Sequence, residues 1–123
     1  MKMTQLTPML YTTDLPGTIH FYTNALGFTC EAADEFWASV KRDACGIMFS
    51  LPNAHIPFEK SVFTGSFYFN VDAVDTLWEQ IKDTAAVCYP LEDFEYGMRE
   101  FAVYDNNGYL LQFGQEITSP DTI

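Results

Sequence analysis

Cations are scarce in this chain of 123 residues: six Lys and Arg stand against seventeen Asp and Glu, for a net charge of −11. So few cannot line a phosphate backbone, which excludes nucleic acid as a partner. The acidic surplus attracts cationic ligands at long range, although charge alone favours the plainer reading of mere solubility. Cysteine is limited to Cys30, Cys45 and Cys88, widely spaced and without a CxxC pair. Neither a disulfide framework nor a structural zinc site is expected from that spacing. Buried thiols acting as small hydrophobes are expected instead. Long apolar runs are missing as well: no stretch approaches the roughly 20 residues that cross a bilayer. The opening Met1-Lys2-Met3-Thr4-Gln5-Leu6 lacks the apolar core of a signal peptide. A reduced, cytoplasmic setting without a membrane partner is the expectation.

What the chain has in quantity is aromatic surface. Eleven Phe and seven Tyr are a heavy load for one small domain, and rings in that number line a core or a cavity. Residues 6–12 read as a first strand. Asp14 then reads as a helix N-cap with Pro16 in the first turn. Leu15, Ile19, Tyr22 and Leu26 fall on one face of that helix, and Gly27 stops it. Strands are expected near 28–34, 36–42 and 45–51, followed by a loop over 52–65 punctuated by Pro52, Pro57 and Gly65. The order then repeats. Residues 66–71 form a strand, Asp72 caps a helix carrying Val74, Leu77, Trp78 and Ile81, and strands follow near 86–92, 98–105 and 109–115. Asp105-Asn106-Asn107-Gly108 marks the last hairpin. Such duplication predicts an α+β fold of two tandem βαβββ modules within one domain of residues 1–123. Module 1 spans about 4–51, module 2 about 66–116, and a tail covers 117–123.

Strand phase carries the sharpest information, because alternate side chains face opposite sides of a sheet. One phase is almost wholly apolar: Leu6 and Leu10, Ile47, Phe49 and Leu51, Phe67, Phe69 and Val71, Phe101 and Val103, Leu111 and Phe113. That side is expected to pack beneath the helices. The other phase is mixed, with Ser66, Asn70 and Gln112 scattered among Met and Tyr. Polar groups among aromatics on a hollowed surface are how small-molecule pockets are built. The expected ligand-binding residues are Met9, Tyr11, Trp37, Met48, Ser50, Ser66, Tyr68, Asn70, Tyr104 and Gln112. A half-wet sheet face or a dimer interface would show the same pattern.

Two stretches resemble a known family. Asp14-Leu15-Pro16-Gly17-Thr18-Ile19-His20-Phe21-Tyr22 with Leu26-Gly27-Phe28 is similar to the first helix of the vicinal oxygen chelate superfamily. Tyr96-Gly97-Met98-Arg99-Glu100-Phe101, followed by Asp105-Asn106-Asn107-Gly108-Tyr109, resembles the final strands of its bleomycin-resistance branch. Asn106 and Tyr109 depart from the Pro and Asn usual in that turn. The resemblance implies a curved mixed sheet with a concave cleft and the helices on its convex side. It also implies a homodimer with ligand sites between subunits.

Enzymes of that superfamily hold a divalent ion with His and Glu on four strand positions. Aligned on the flanking motifs, those positions fall here on Thr7, Met48, Ser66 and Gln112, which are poor ligands for such an ion. His20 is expected to face solvent or cap its helix, and His55 lies in the central loop. Arg99 or Glu100 is expected in a structural ion pair, with Glu100 as a general base the alternative. No metal, cofactor or catalytic residue is therefore expected. The favoured function is sequestration of an aromatic or cationic small molecule, with Phe58, Phe63, Phe94 and Tyr96 closing over it. The alternatives are a glyoxalase-like or dioxygenase-like lyase or isomerase with a non-standard metal site, and a dimeric interaction module whose cleft is filled.

Overall fold

A computed structural model describes residues 1–54 and 56–118. His55 and the end of the tail lie outside the described residues. The chain divides into two compact units, with the boundary between Ser61 and Val62. The first contains β1 (Met9–Tyr11), α1 (Leu15–His20), β2 (Thr29–Ala33), β3 (Trp37–Arg42) and β4 (Cys45–Ser50). The second contains β5 (Phe67–Asn70), α2 (Val74–Ile81), β6 (Ala86–Asp93), β7 (Met98–Tyr104) and β8 (Leu110–Glu116). The order strand-helix-strand-strand-strand thus occurs twice. Each unit builds its own four-stranded mixed sheet, in the orders β1-β4-β3-β2 and β5-β8-β7-β6. In both, the first strand pairs parallel to the last and the remaining pairs are antiparallel. This is the expected α+β fold of two repeated modules.

In the first unit Asp14 caps α1 as expected: its Oδ1 accepts from the Gly17 N–H at 3.0 Å. A Cβ at Gly17 would stand 2.1 Å from Asp14 Oδ2, so glycine there leaves the cap its room. The expected single helix changes pitch partway. Phe21–Ala25 form a π-helical turn, and Thr23 Oγ1 donates back to the Ile19 carbonyl at 2.8 Å. Tyr22 is fully buried, with its ring 4.9 Å from Phe49 and 5.4 Å from Phe28. Leu15, Leu26, Val40 and Ile47 complete that core. Leu6 departs from the expected apolar face, because it precedes β1 and stands 90% exposed.

In the second unit Val74, Leu77 and Ile81 bury one face of α2. Trp78 lies 5.1 Å from Phe101, which stacks on Phe113, and Phe113 on Phe69. Asp72 does not cap α2 as expected. It lies one residue too early, and Ala73 at the N-cap offers no side-chain acceptor. Gln115 of β8 serves instead: its Oε1 accepts from the Val74 N–H and its Nε2 donates to the Asp72 carbonyl, both at 3.0 Å. Gln115→Ala is therefore expected to cost about 1 kcal/mol, the usual value of an N-cap, read as a lowered urea midpoint at unchanged slope. The hairpin turn forms as expected, with Asp105 Oδ1 accepting from the N–H groups of Asn107 and Tyr109 at 2.8 Å and Gly108 at φ 90°.

The cysteines correct a further expectation. All three are free, but Cys45 and Cys88 are exposed and Cys30 is only partly covered. Cys30 and Cys88 lie on β2 and β6, which end their sheets and carry register shifts at those residues. Edge position and bulge together deny them a covering layer.

Candidate functional site

Register decides which side chains share a face. In the first unit Met9 is opposite Met48, and Tyr11 and Trp37 are both opposite Ser50. Five of the expected ligand-binding residues therefore lie on one side of that sheet, away from buried Ile47 and Phe49. The Tyr11 ring meets Phe58 edge-on at 5.5 Å. Met9 is 47% exposed, so this side is not filled by its own unit.

In the second unit Tyr68 and Ala102 flank Gln112, Asn70 and Glu100 flank Gly114, and Tyr104 is opposite Leu110. Ser66, Tyr68, Asn70, Tyr104 and Gln112 thus share the side opposite the apolar core. The structure draws three of them into one hydrogen-bonded chain. Ser66 Oγ donates to Gln112 Oε1, and Gln112 Nε2 donates to the Tyr89 hydroxyl at 2.9 Å. Tyr89 donates in turn to Glu100 Oε2, and Tyr68 donates to Glu100 Oε1 at 2.7 Å. Asn70 stays outside this chain and lines an open depression with Asp72, Met98, Gly114, Gln115 and Glu116. Tyr104 stands apart too, its hydroxyl accepting from the Cys88 thiol at 3.3 Å.

Glu100 is the centre of the network and is fully buried. Burial alone would raise its pKa, but hydrogen bonds from Tyr89, Tyr96 and Tyr68 outweigh it and hold the carboxyl below its ordinary value. Burial and then the Glu100 bond raise the Tyr68 and Tyr89 phenols well above theirs. Tyr96, exposed on the whole, is raised to about 12 by desolvation and by the same carboxylate. Arg99, the neighbour on β7, points the other way and pairs with Asp75 at 2.7 Å and Asp93 at 3.0 Å. The expected structural ion pair therefore belongs to Arg99. Among the described residues Glu100 has no cationic partner, and its charge is met by phenols.

These shifts fix the sign of a pH profile. A lowered carboxyl pKa stabilises the fold above about pH 4.3, and this is lost as acid titrates the folded state. Raised phenol pKa values stabilise it below about pH 10, and this is lost as pH climbs toward the folded values. Urea unfolding from pH 3 to 11 is expected to show a plateau with losses at both ends. In Tyr68→Phe the alkaline loss is expected to be shallower.

Why Tyr68 reaches Glu100 is a matter of one missing side chain. Tyr68 is on β5 and Glu100 on β7, with β8 between them. The ring crosses β8 at Gly114, where a Cβ would stand 2.0 Å from the Tyr68 hydroxyl. Tyr89 and Gly114 were not legible as site residues from sequence. Register shifts around Tyr89, between Val87 and Glu92, break the alternation from which a face is assigned. Tyr89 also meets Phe94 edge-on, and Phe94 stacks on Tyr96, each at centroid distances near 5.5 Å.

The four residues to which the resemblance assigns metal-binding positions carry donors that a divalent ion does not favour. Thr7 Oγ1 accepts from the Gln5 amide at 3.1 Å, Met48 offers only a thioether, and Ser66 and Gln112 are bonded to each other. Neither carboxylate nor imidazole is in the set, and these are the donors such an ion selects. His20 is exposed on α1, with the Asn24 amide 3.0 Å from its ring. Among the described residues no three His, Cys, Asp or Glu side chains gather as metal ligands, and no helix is long and apolar enough to cross a membrane.

Solved structures share this architecture. A protein of unknown function from Agrobacterium tumefaciens str. C58 superposes with a TM-score of 0.79 at 18% identity, over 95% of this chain and 97% of that one. A glyoxalase/bleomycin resistance protein/dioxygenase from Nocardioides gives 0.76 at 16% identity, over 98% and 89%. A lactoylglutathione lyase from Agrobacterium tumefaciens gives 0.72 at 19%, over 91% and 92%. At such identities the likeness is one of fold. No curated protein matches the chain. The family profile, however, matches residues 4–113, nearly the whole of both repeated modules. The chain belongs to the Glyoxalase/Bleomycin resistance protein/Dioxygenase superfamily.

Proposed function

We propose that the protein binds a small aromatic or cationic molecule against its mixed sheet faces and holds it unchanged, as a sequestering protein that works as a homodimer. The observation that carries this reading is the phenol-carboxylate network of the second unit. Tyr68 is 39% exposed, yet its hydroxyl is tethered to a buried carboxylate. A ring held rigid before a ligand arrives loses little entropy on binding, which is how preorganised sites gain affinity. Tyr104, 40% exposed, and Tyr96, 64% exposed, extend the aromatic surface. The net charge of −11 favours a cation. Chemistry that depends on a divalent ion is disfavoured by the donor set at Thr7, Met48, Ser66 and Gln112.

Thermal unfolding with a bleomycin-class glycopeptide and with flat aromatic cations tests the reading. A ligand at a hundred times its Kd adds about 2.7 kcal/mol to stability, and Tyr104→Ala is expected to weaken that gain. If no such compound moves the transition well above micromolar concentration, the reading falls. Tight stoichiometric uptake of a divalent ion would replace it with a lyase or isomerase. Sedimentation as a monomer would remove the homodimer.

A further inference from the structure

The network has a direction, and the direction has a chemical outcome. An ionised carboxylate only accepts hydrogen bonds, so the phenols facing Glu100, Tyr68 and Tyr89 together with Tyr96, must donate to it. The Tyr89 oxygen is then left to accept, and it does so from the Gln112 amide. That turns the Gln112 carbonyl toward Ser66, whose hydroxyl must donate inward. Every hydroxyl proton in the chain thus points toward Glu100. With those protons committed, Tyr68 Oη and Ser66 Oγ keep only accepting lone pairs, against one N–H of Gln112 that these bonds leave unused. No cation among the described residues neutralises Glu100, and Arg99 on the opposite side of β7 is held by Asp75 and Asp93. Excess negative charge therefore lies directly behind the accepting oxygens.

We infer that the Ser66 and Tyr68 hydroxyl oxygens on the mixed face of the second sheet are hydrogen-bond-accepting points that take the N–H groups of an amidine, guanidine or primary amine and turn away carboxylates. The inference rests on the small-molecule reading above and deepens it. Selection here is by donation as well as by charge: a cation without N–H groups has nothing to offer the two oxygens. Gly114 belongs to the same device, because it lets the Tyr68 hydroxyl reach the carboxylate that takes its proton.

Three benzene-derived probes separate the possibilities: benzamidinium, benzyltrimethylammonium and benzoate, each titrated at millimolar concentration while backbone amides are followed by NMR. Benzamidinium is expected to shift the amides of residues 66–68 and 110–114. The quaternary ammonium is expected to bind about tenfold more weakly, the worth of one charge-assisted hydrogen bond, and benzoate not at all. Equal binding of the two cations, or binding of benzoate, overturns the donor subsite and leaves the small-molecule reading standing. So does silence from all three probes where the glycopeptide still stabilises the protein. Silence from all of them removes both.

Two variants sharpen the test. In Glu100→Gln the new amide donates to one phenol and frees that phenol's proton to be offered to a ligand. Benzamidinium is expected to weaken about tenfold and benzoate to begin binding; unchanged selectivity overturns the inference. Tyr68→Phe keeps the ring and removes the accepting oxygen, so benzamidinium is expected to weaken while benzyltrimethylammonium does not. A parallel loss for both cations would reduce Tyr68 to an aromatic surface and overturn the subsite.

Discussion

Glu100→Ala is expected to destabilise the second unit by about 2–4 kcal/mol, because hydrogen bonds to a charged group are worth about 1.5–3 kcal/mol each and a buried donor is left without an acceptor. Alanine takes away the acceptor for Tyr68 and Tyr89 at once, and Tyr89 is half-buried with no other acceptor for its proton among the described bonds. The cavity left by the carboxylate adds to the loss. Urea unfolding of wild type and variant at pH 7 gives the number. The variant should also lose the acid limb of the pH profile, because its lowered carboxyl titration has gone. A loss below about 1 kcal/mol, typical of an exposed ion pair, would show that the network contributes little and that water replaces it readily.

Gly114→Ala should be the next most damaging change, at about 2–3 kcal/mol, the worth of a hydrogen bond to a charged group together with local overpacking. The added methyl and the Tyr68 hydroxyl cannot both occupy their places at 2.0 Å. The ring must swing toward solvent, which breaks its bond to Glu100. A double-mutant cycle with Tyr68→Ala isolates this cause. With the ring already removed, the methyl at residue 114 should cost far less than it does in the wild type. Additive losses would place the damage in the backbone of β8 instead.

Much of the fold was legible because it rests on patterns that survive translation into structure. The repeat of element order, Asp14 at a helix start and Asp-Asn-Asn-Gly at a hairpin each have one local solution. Alternation likewise sorted Ile47 and Phe49 from Met48, and Phe101 and Val103 from Glu100 and Ala102, because β4 and β7 carry regular registers. Where geometry departs from regularity, sequence reading loses its ruler. The π-helical turn at Phe21–Ala25 and the shifts around Cys30 and Tyr89 alter phase without any residue type that signals it. Gln115 as the cap of α2 depends on strand pairing 41 residues away. The role of Gly114 depends on a ring from a neighbouring strand. Pairing rules point Glu100 toward a cation, whereas three phenols share the task of meeting its charge.

The Gln115 bridge also bears on the order in which the chain is made. Residues 9–50 carry both partners of the first parallel pair, β1 and β4, so that unit has its full sheet early in synthesis. In the second unit α2 emerges well before the strand that holds its first turn, and β5 waits for the same late arrival. A ribosome-bound nascent chain ending before residue 110 therefore carries every strand of the first sheet but lacks the strand that closes the second. The final strand is the event that locks the remainder, and a chain released short of it has a helix start and a sheet edge left open.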